Sequence, residues 1–194
     1  MKRLIIIATA LFLSVALFAQ DAHLKFKGIP LDGSYNAFAK KLTEKGFILQ
    51  KATDDRIELT GSFMAYPNAL VMVYPDPSTK VVAKVSALIE TKTDGGYSWT
   101  ITENTFRSIV NTYKEKYGKP VEYSETFIKE EPGSDYARIN SLLLGECDYR
   151  SVWVMDGGRI EITLLSYRQN IYVVCTYIDE QNIKALHQTI LNDI

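Results

Sequence analysis

Residues 102–120 read TENTFRSIVNTYKEKYGKP. Apolar side chains fall at Phe106, Ile109, Val110, Tyr113 and Tyr117, the spacing of one face of an α-helix. Thr102 is a candidate N-cap, and Ser98 would start the helix a turn earlier. Gly118 suits the left-handed position that ends a helix, and Pro120 blocks continuation. Strand-like segments flank this helix on both sides. Residues 34–47 end in much the same way, with Tyr35, Phe38 and Leu42 on one face and Gly46 as the stop. The helix at 102–120 therefore reads as the start of a second half.

The strands follow from alternation. In RIELTGSF, residues 56–63, Ile57, Leu59 and Phe63 face one way, and Arg56, Glu58, Thr60 and Ser62 the other. Residues 47–50 and 70–74 read as further strands, and HLKFKGIP, residues 23–30, as a short edge strand. In residues 81–90, Val81, Ala83, Val85, Ala87 and Ile89 share a face opposite Lys84, Ser86 and Glu90. The second half offers strands at 121–128, 147–155, 159–166 and 171–178, with a hairpin turn at Asp156–Gly157–Gly158. A short helix at 135–144 is suggested by Tyr136, Ile139 and Leu143. Asp179 can cap a last helix with Ile183, Leu186, Ile190 and Leu191 on its apolar face.

These readings predict an α+β fold in the order αββββ–αββββ–α. It has an antiparallel sheet with helices on one face, two quasi-repeated halves (roughly 20–97 and 98–194) and a C-terminal helix. The register across residues 159–178 sets Ile160, Ile162 and Leu164 opposite Tyr177, Cys175 and Val173, all on the core face. Cys147 then lies two strands from Cys175, too far for a disulfide. The other face of this half carries Val152, Val154, Leu165, Tyr172, Val174 and Ile178, whereas the first half's outer face reads as solvated. Such an apolar patch calls for a cover, either the terminal helix or a partner.

The chain begins MKRLIIIATALFLSVALFAQD, a basic start, an apolar run and a small residue before the polar Gln20. That is the layout of a secretory signal peptide, with cleavage expected after Ala19 and a single domain at 20–194. The expected location is the periplasm or the exterior. Removing Lys2 and Arg3 leaves 20 basic against 23 acidic residues, a formal charge of −3. That balance gives no electrostatic case for nucleic acid or an anionic membrane surface. No segment after the signal is long and apolar enough to span a bilayer.

FKGIPLDG (residues 26–33), EKGF (44–47), EKYGKP (115–120) and YVVCTYID (172–179) resemble a family of small exported proteins of Gram-negative bacteria without an assigned function. The helix-then-four-strands plan is also similar to the repeats of beta-lactamase-inhibitor-like proteins. The short first strands depart from that pattern.

Chemistry-bearing residues are sparse. Two histidines, His23 and His187, stand near opposite ends of the mature chain and read as a loose terminal residue and a helix-surface residue. No metal site, cofactor or catalytic residue is assigned. Cys147 and Cys175 lie in strand runs, where buried structural thiols are the ordinary case. Asp54–Asp55 and Glu130–Glu131 are acid pairs in polar turns, where solvated charge is the ordinary reading. Twelve Tyr, eight Phe and two Trp stand out, and Tyr66, Tyr97 and Trp99 near turns are the candidate ligand-binding residues, against packing at the helix–sheet seam. Trp153 shares strand parity with Tyr149 and reads as core. The expected function is an exported, non-enzymatic binding domain for a protein or cell-envelope partner. The alternatives are a carboxylate-dependent hydrolase of an envelope or dietary polymer, and a structural subunit.

Overall fold

The structure, a computed structural model, describes residues 23–182. A two-stranded hairpin opens it, β1 (Lys25–Phe26) and β2 (Ile29–Pro30), followed by helix α1 (Tyr35–Glu44). Strands β3 (Ile48–Ala52), β4 (Ile57–Phe63), β5 (Tyr66–Pro75) and β6 (Val82–Glu90) lead to helix α2 (Trp99–Tyr117). Then come β7 (Glu122–Phe127), helix α3 (Asp135–Leu143), β8 (Cys147–Met155), β9 (Gly158–Tyr167) and β10 (Asn170–Asp179). Strands β3 to β10 form one antiparallel sheet in the order β3-β4-β5-β6-β10-β9-β8-β7. The fold is α+β, as the patterning predicts. The short helix α3 interrupts the second half between its first and second strands.

The last strands of the two runs, β6 and β10, pair with each other at the centre of the sheet: Val85 with Tyr177, Ala87 with Cys175, Ile89 with Val173. On the other side of β10, Ile160, Ile162 and Leu164 face Tyr177, Cys175 and Val173, the register read from the sequence. These residues join one apolar cluster with Phe38 and Leu42 of α1, Phe106, Ile109, Val110 and Tyr113 of α2, and Ile139 and Leu142 of α3. Trp153 and Tyr149 belong to it as well. Alternation fails at the start of β6. A register shift between Tyr74 and Pro75 turns Val82, rather than Val81, into the cluster.

Helix α2 begins after Ser98, a turn before Thr102, and Ser98 makes no side-chain cap bond. The cap comes from 36 residues away: Asp135 Oδ2 accepts from Trp99 N at 3.0 Å. Its Oδ1 accepts from Thr100 N at 3.2 Å. Thr102 is buried and bonds Thr91 through their hydroxyls at 2.9 Å. The amide donors of Trp99 and Thr100 hold the Asp135 carboxyl below its usual range. A depressed carboxyl stabilises the fold above its unfolded-state pKa, and that contribution is lost as pH falls through the folded value. Asp135→Ala should therefore lower the melting temperature at neutral pH and remove part of the acid sensitivity. Equal pH profiles for the variant and the parent would contradict this.

The opposite face of the sheet differs from the sequence expectation. Its apolar cluster is Met72, Leu88, Tyr172 and Val174, with Leu70, Tyr74, Leu165 and Tyr167 packed against it. It straddles the centre of the sheet instead of belonging to the second half. Glu58 and Ser86, expected to be solvated, are buried, whereas Val154 is 64% exposed. On a flat sheet β4 and β10 would lie about 14 Å apart. Arg168, in the β9–β10 turn, nevertheless reaches Glu58 at 3.9 Å. The two long side chains span that width and meet over the patch. Asp179 does accept a capping bond from Asn182 N, at 3.2 Å. The rest of the terminal helix, and the question of its covering role, lie outside the described residues.

Cys147 and Cys175 are both free thiols. Burial pushes the Cys175 thiol up from 9.0 to about 12, against a lowering hydrogen bond from Tyr113. Burial also raises the Tyr113 and Tyr177 hydroxyls. Below pH 9 both folded and unfolded thiols hold their protons, and the stability of the buried thiol is whole. Above that the unfolded chain loses its proton first, so stability falls as pH rises toward about 12. Thiol titration should find Cys175 unreactive in native protein and two free thiols after denaturation. A single free thiol, or none, in the unreduced denatured monomer would overturn the register.

Candidate functional site

One cleft of about 680 Å³ is built where three tight turns meet the end of a helix. The first turn is Lys27–Gly28 of the β1–β2 hairpin, with both residues at positive φ. The second is Met64–Ala65 between β4 and β5, again at positive φ. The third is Asp156–Gly157 between β8 and β9. Thr112, Tyr113, Lys116 and Tyr117 of α2 supply the facing wall. This volume falls in the range of small-molecule sites.

The floor is apolar and aromatic: Phe63, Ile160, Tyr113 and Tyr177 are all buried. Phe26 fixes it from below, its ring stacked on Phe63 at 5.2 Å and edge-on to Tyr177 at 5.3 Å. Tyr113 and Tyr177 share a hydrogen bond between their hydroxyls at 2.5 Å. Met64 and Met155 add flexible thioether walls that adapt to different shapes. The rim carries Lys25, Lys27 and Lys116 against one carboxylate, Asp156. Lys116 Nζ sits 4.8 Å from the Tyr117 ring centroid.

His23 borders the cleft and is not loose. Its Nδ1 lies 3.1 Å from Oδ2 of the buried Asp179, which also accepts from Leu24 N at 3.1 Å. The pair anchors the β1–β2 hairpin that forms one wall.

The sequence-predicted aromatics are not brought together here. Trp99 is 1% exposed and packs edge-on against Tyr149 at 5.2 Å. So buried a ring presents little surface to a ligand. Tyr97 is half-buried, and its hydroxyl donates to Glu90 at 2.9 Å. Burial, with Glu90 beside it, pushes the Tyr97 hydroxyl up to about 12. Tyr66 is half-buried against the core. None of the three is among the residues described as lining the cleft.

The acid pairs behave as polar turns. Asp55 bonds Thr53 and Arg56 at the surface. Glu130 and Glu131 line a second hollow of about 420 Å³. There Glu131 pairs with Arg138 at 2.9 Å, and Lys129 with Glu146 at 2.6 Å. These are cation–carboxylate pairs rather than two acids opposed across a substrate. Among the described residues no group of three or more His, Cys, Asp or Glu could hold a metal ion. No described helix is long and apolar enough to cross a membrane.

The cleft residues were missed because they come from five separate segments, none carrying a motif. The available signal was Tyr117, which prolongs the apolar face of α2 past Tyr113 beside a lysine. Comparison with family models, with curated proteins and with solved structures finds no match to this chain.

Proposed function

We propose that this protein is an exported, non-enzymatic binding domain whose ligand site is the cleft between α2 and the β1–β2 hairpin. The observation that carries the reading is a sizeable cavity with an apolar and aromatic floor whose hydroxyls, Tyr113 and Tyr177, are bonded to each other. Tyr113 and Tyr177, the hydroxyls on its floor, are raised well above their ordinary values. They serve as packing and hydrogen-bonding groups and not as bases at neutral pH. The cleft therefore suits holding a molecule better than transforming one, which favours binding over the hydrolase alternative.

Export rests on the tripartite N-terminus, and places the domain in the periplasm or outside the cell. The partner is then a cell-envelope or extracellular component rather than a nucleic acid. The reading of the helices as one layer is supported by the entry of buried residues from all three described helices into a single cluster. The reading of two quasi-repeated halves is supported by the pairing of their last strands, β6 and β10, at the centre. The likeness to small exported proteins of Gram-negative bacteria, and to the beta-lactamase-inhibitor-like plan, belongs to the same reading.

Thr112 is exposed on α2 and lines the cleft, so Thr112→Trp should fill it without touching the core. Titration of the mature chain with an uncharged apolar dye such as Nile red should show one saturable site. The variant should lose affinity about tenfold or more, a change of roughly 1.4 kcal/mol, with an unchanged melting temperature. Unaltered dye binding by a folded variant would remove the cleft as the site.

A further inference from the structure

Resting on the reading of the cleft as a binding site, we infer that its ligand is a single-chain anionic amphiphile, with its acidic head at Lys25, Lys27 and Lys116 and its chain over the aromatic floor. The mature chain carries a formal −3, yet this rim sets three lysines against one aspartate. The lysines converge from two elements, the β1–β2 hairpin and the last turn of α2. Among the described residues all six arginines are held in ion pairs, while none of these three lysines is. The C-terminal dipole of α2 is a smaller, opposing charge that Lys114 and Lys116 offset.

The interior argues for a chain rather than a second polar group. The residues beneath the rim, Phe63, Met64, Tyr117, Met155 and Ile160, are apolar or aromatic. The hydroxyls at depth, Tyr113 and Tyr177, bond each other, which uses one of their two protons. A polar ligand group placed there would lose its water for at most a bond to one of these two hydroxyls, whereas methylene groups gain contact along the whole floor. A volume of about 680 Å³ accommodates one such chain. A lysine rim over an apolar cleft could equally meet the headgroup of an anionic bilayer. Confinement of the apolar surface to a cleft favours the single molecule.

The test uses the mature chain and three 12-carbon probes below their micelle concentrations: dodecanoate, neutral dodecyl maltoside and dodecyltrimethylammonium. Calorimetric titration should rank dodecanoate about tenfold tighter than the neutral probe, as expected for three partly screened ion contacts, with the cation weakest. The triple variant Lys25→Ala, Lys27→Ala, Lys116→Ala should bring dodecanoate to the level of the neutral probe measured on that same variant. All three lysines are exposed, so the melting temperature should hold. Equal affinity for the anionic and neutral probes would overturn the charge preference while the cleft reading stands. Binding of none of the three would end both. Binding to vesicles of an anionic phospholipid without affinity for dodecanoate would replace the single molecule by a membrane surface and overturn the proposal.

Discussion

Gly158→Ala should lower the melting temperature by about 10 °C, a loss of roughly 3 kcal/mol in a domain of this size. A methyl built on Gly158 would lie 2.1 Å from the carbonyl oxygen of Ile178 and 3.0 Å from Leu24 Cδ1. Neither obstacle yields easily. Gly158 is hydrogen-bonded into the sheet between Met155 of β8 and Asp179 of β10, so its own strand cannot shift without breaking the ladder. Leu24 is fixed by the bond from its amide to Asp179. Gly145 provides the comparison. It has a positive φ, +71°, which Gly158 does not, and nothing lies within 4 Å of an added methyl. Gly145→Ala should cost only about 1 kcal/mol of backbone strain. A Gly158→Ala protein that melts with the Gly145→Ala protein would show that the β8–β9–β10 register is wrong.

Asp179→Ala should cost about as much, by a different route. The carboxylate is fully buried and ties three parts of the chain together. Oδ2 takes the His23 ring and the Leu24 amide, both at 3.1 Å, and Oδ1 takes the Asn182 amide. Asn182 Nδ2 continues the tie, donating to Leu31 O and Val82 O at 2.8 Å each. Truncation leaves the buried Leu24 amide unpaired, at about 1–3 kcal/mol, and removes a helix cap worth about 1 kcal/mol. Asp179→Asn keeps a carbonyl acceptor for one of these donors and should lose about half as much. Because the same tie holds the β1–β2 hairpin, Asp179→Ala should also weaken dye binding in the cleft. A fully stable alanine variant would place the N-terminal segment elsewhere.

Period carried the reading of the fold, and long-range geometry limited it. Ile160, Ile162 and Leu164 could be set opposite Tyr177, Cys175 and Val173 because a slip of one residue would turn every one of them out of the core. The face of α2 was equally legible from Phe106 to Tyr117. What escaped was whatever depends on pairing across the chain. Asp135 caps a helix 36 residues away, a contact with no local signature. The bulge at Tyr74–Pro75 exchanged Val81 for Val82 without a mark in the alternation. The centre of the opposite face became apolar because β6 meets β10, which set Leu88 beside Val174. Trp99, a candidate because it follows a Gly-rich loop, is the first residue of α2 and packs against Tyr149, the seam packing that the sequence reading set beside it. The cleft was the least legible feature, since its walls are turns and its character comes from which turns the fold brings together.

The central claim is that a ligand enters the cleft between α2 and the β1–β2 hairpin. Amide chemical-shift mapping of the labelled mature chain during titration with dodecanoate tests it most directly. The expected shifts cluster at Lys25, Lys27, Gly28, Met64, Thr112, Lys116, Tyr117 and Asp156, and saturate at one molecule per chain. Shifts confined instead to the opposite face, around Met72, Leu88, Tyr172 and Val174, would contradict the account and make that patch the binding surface.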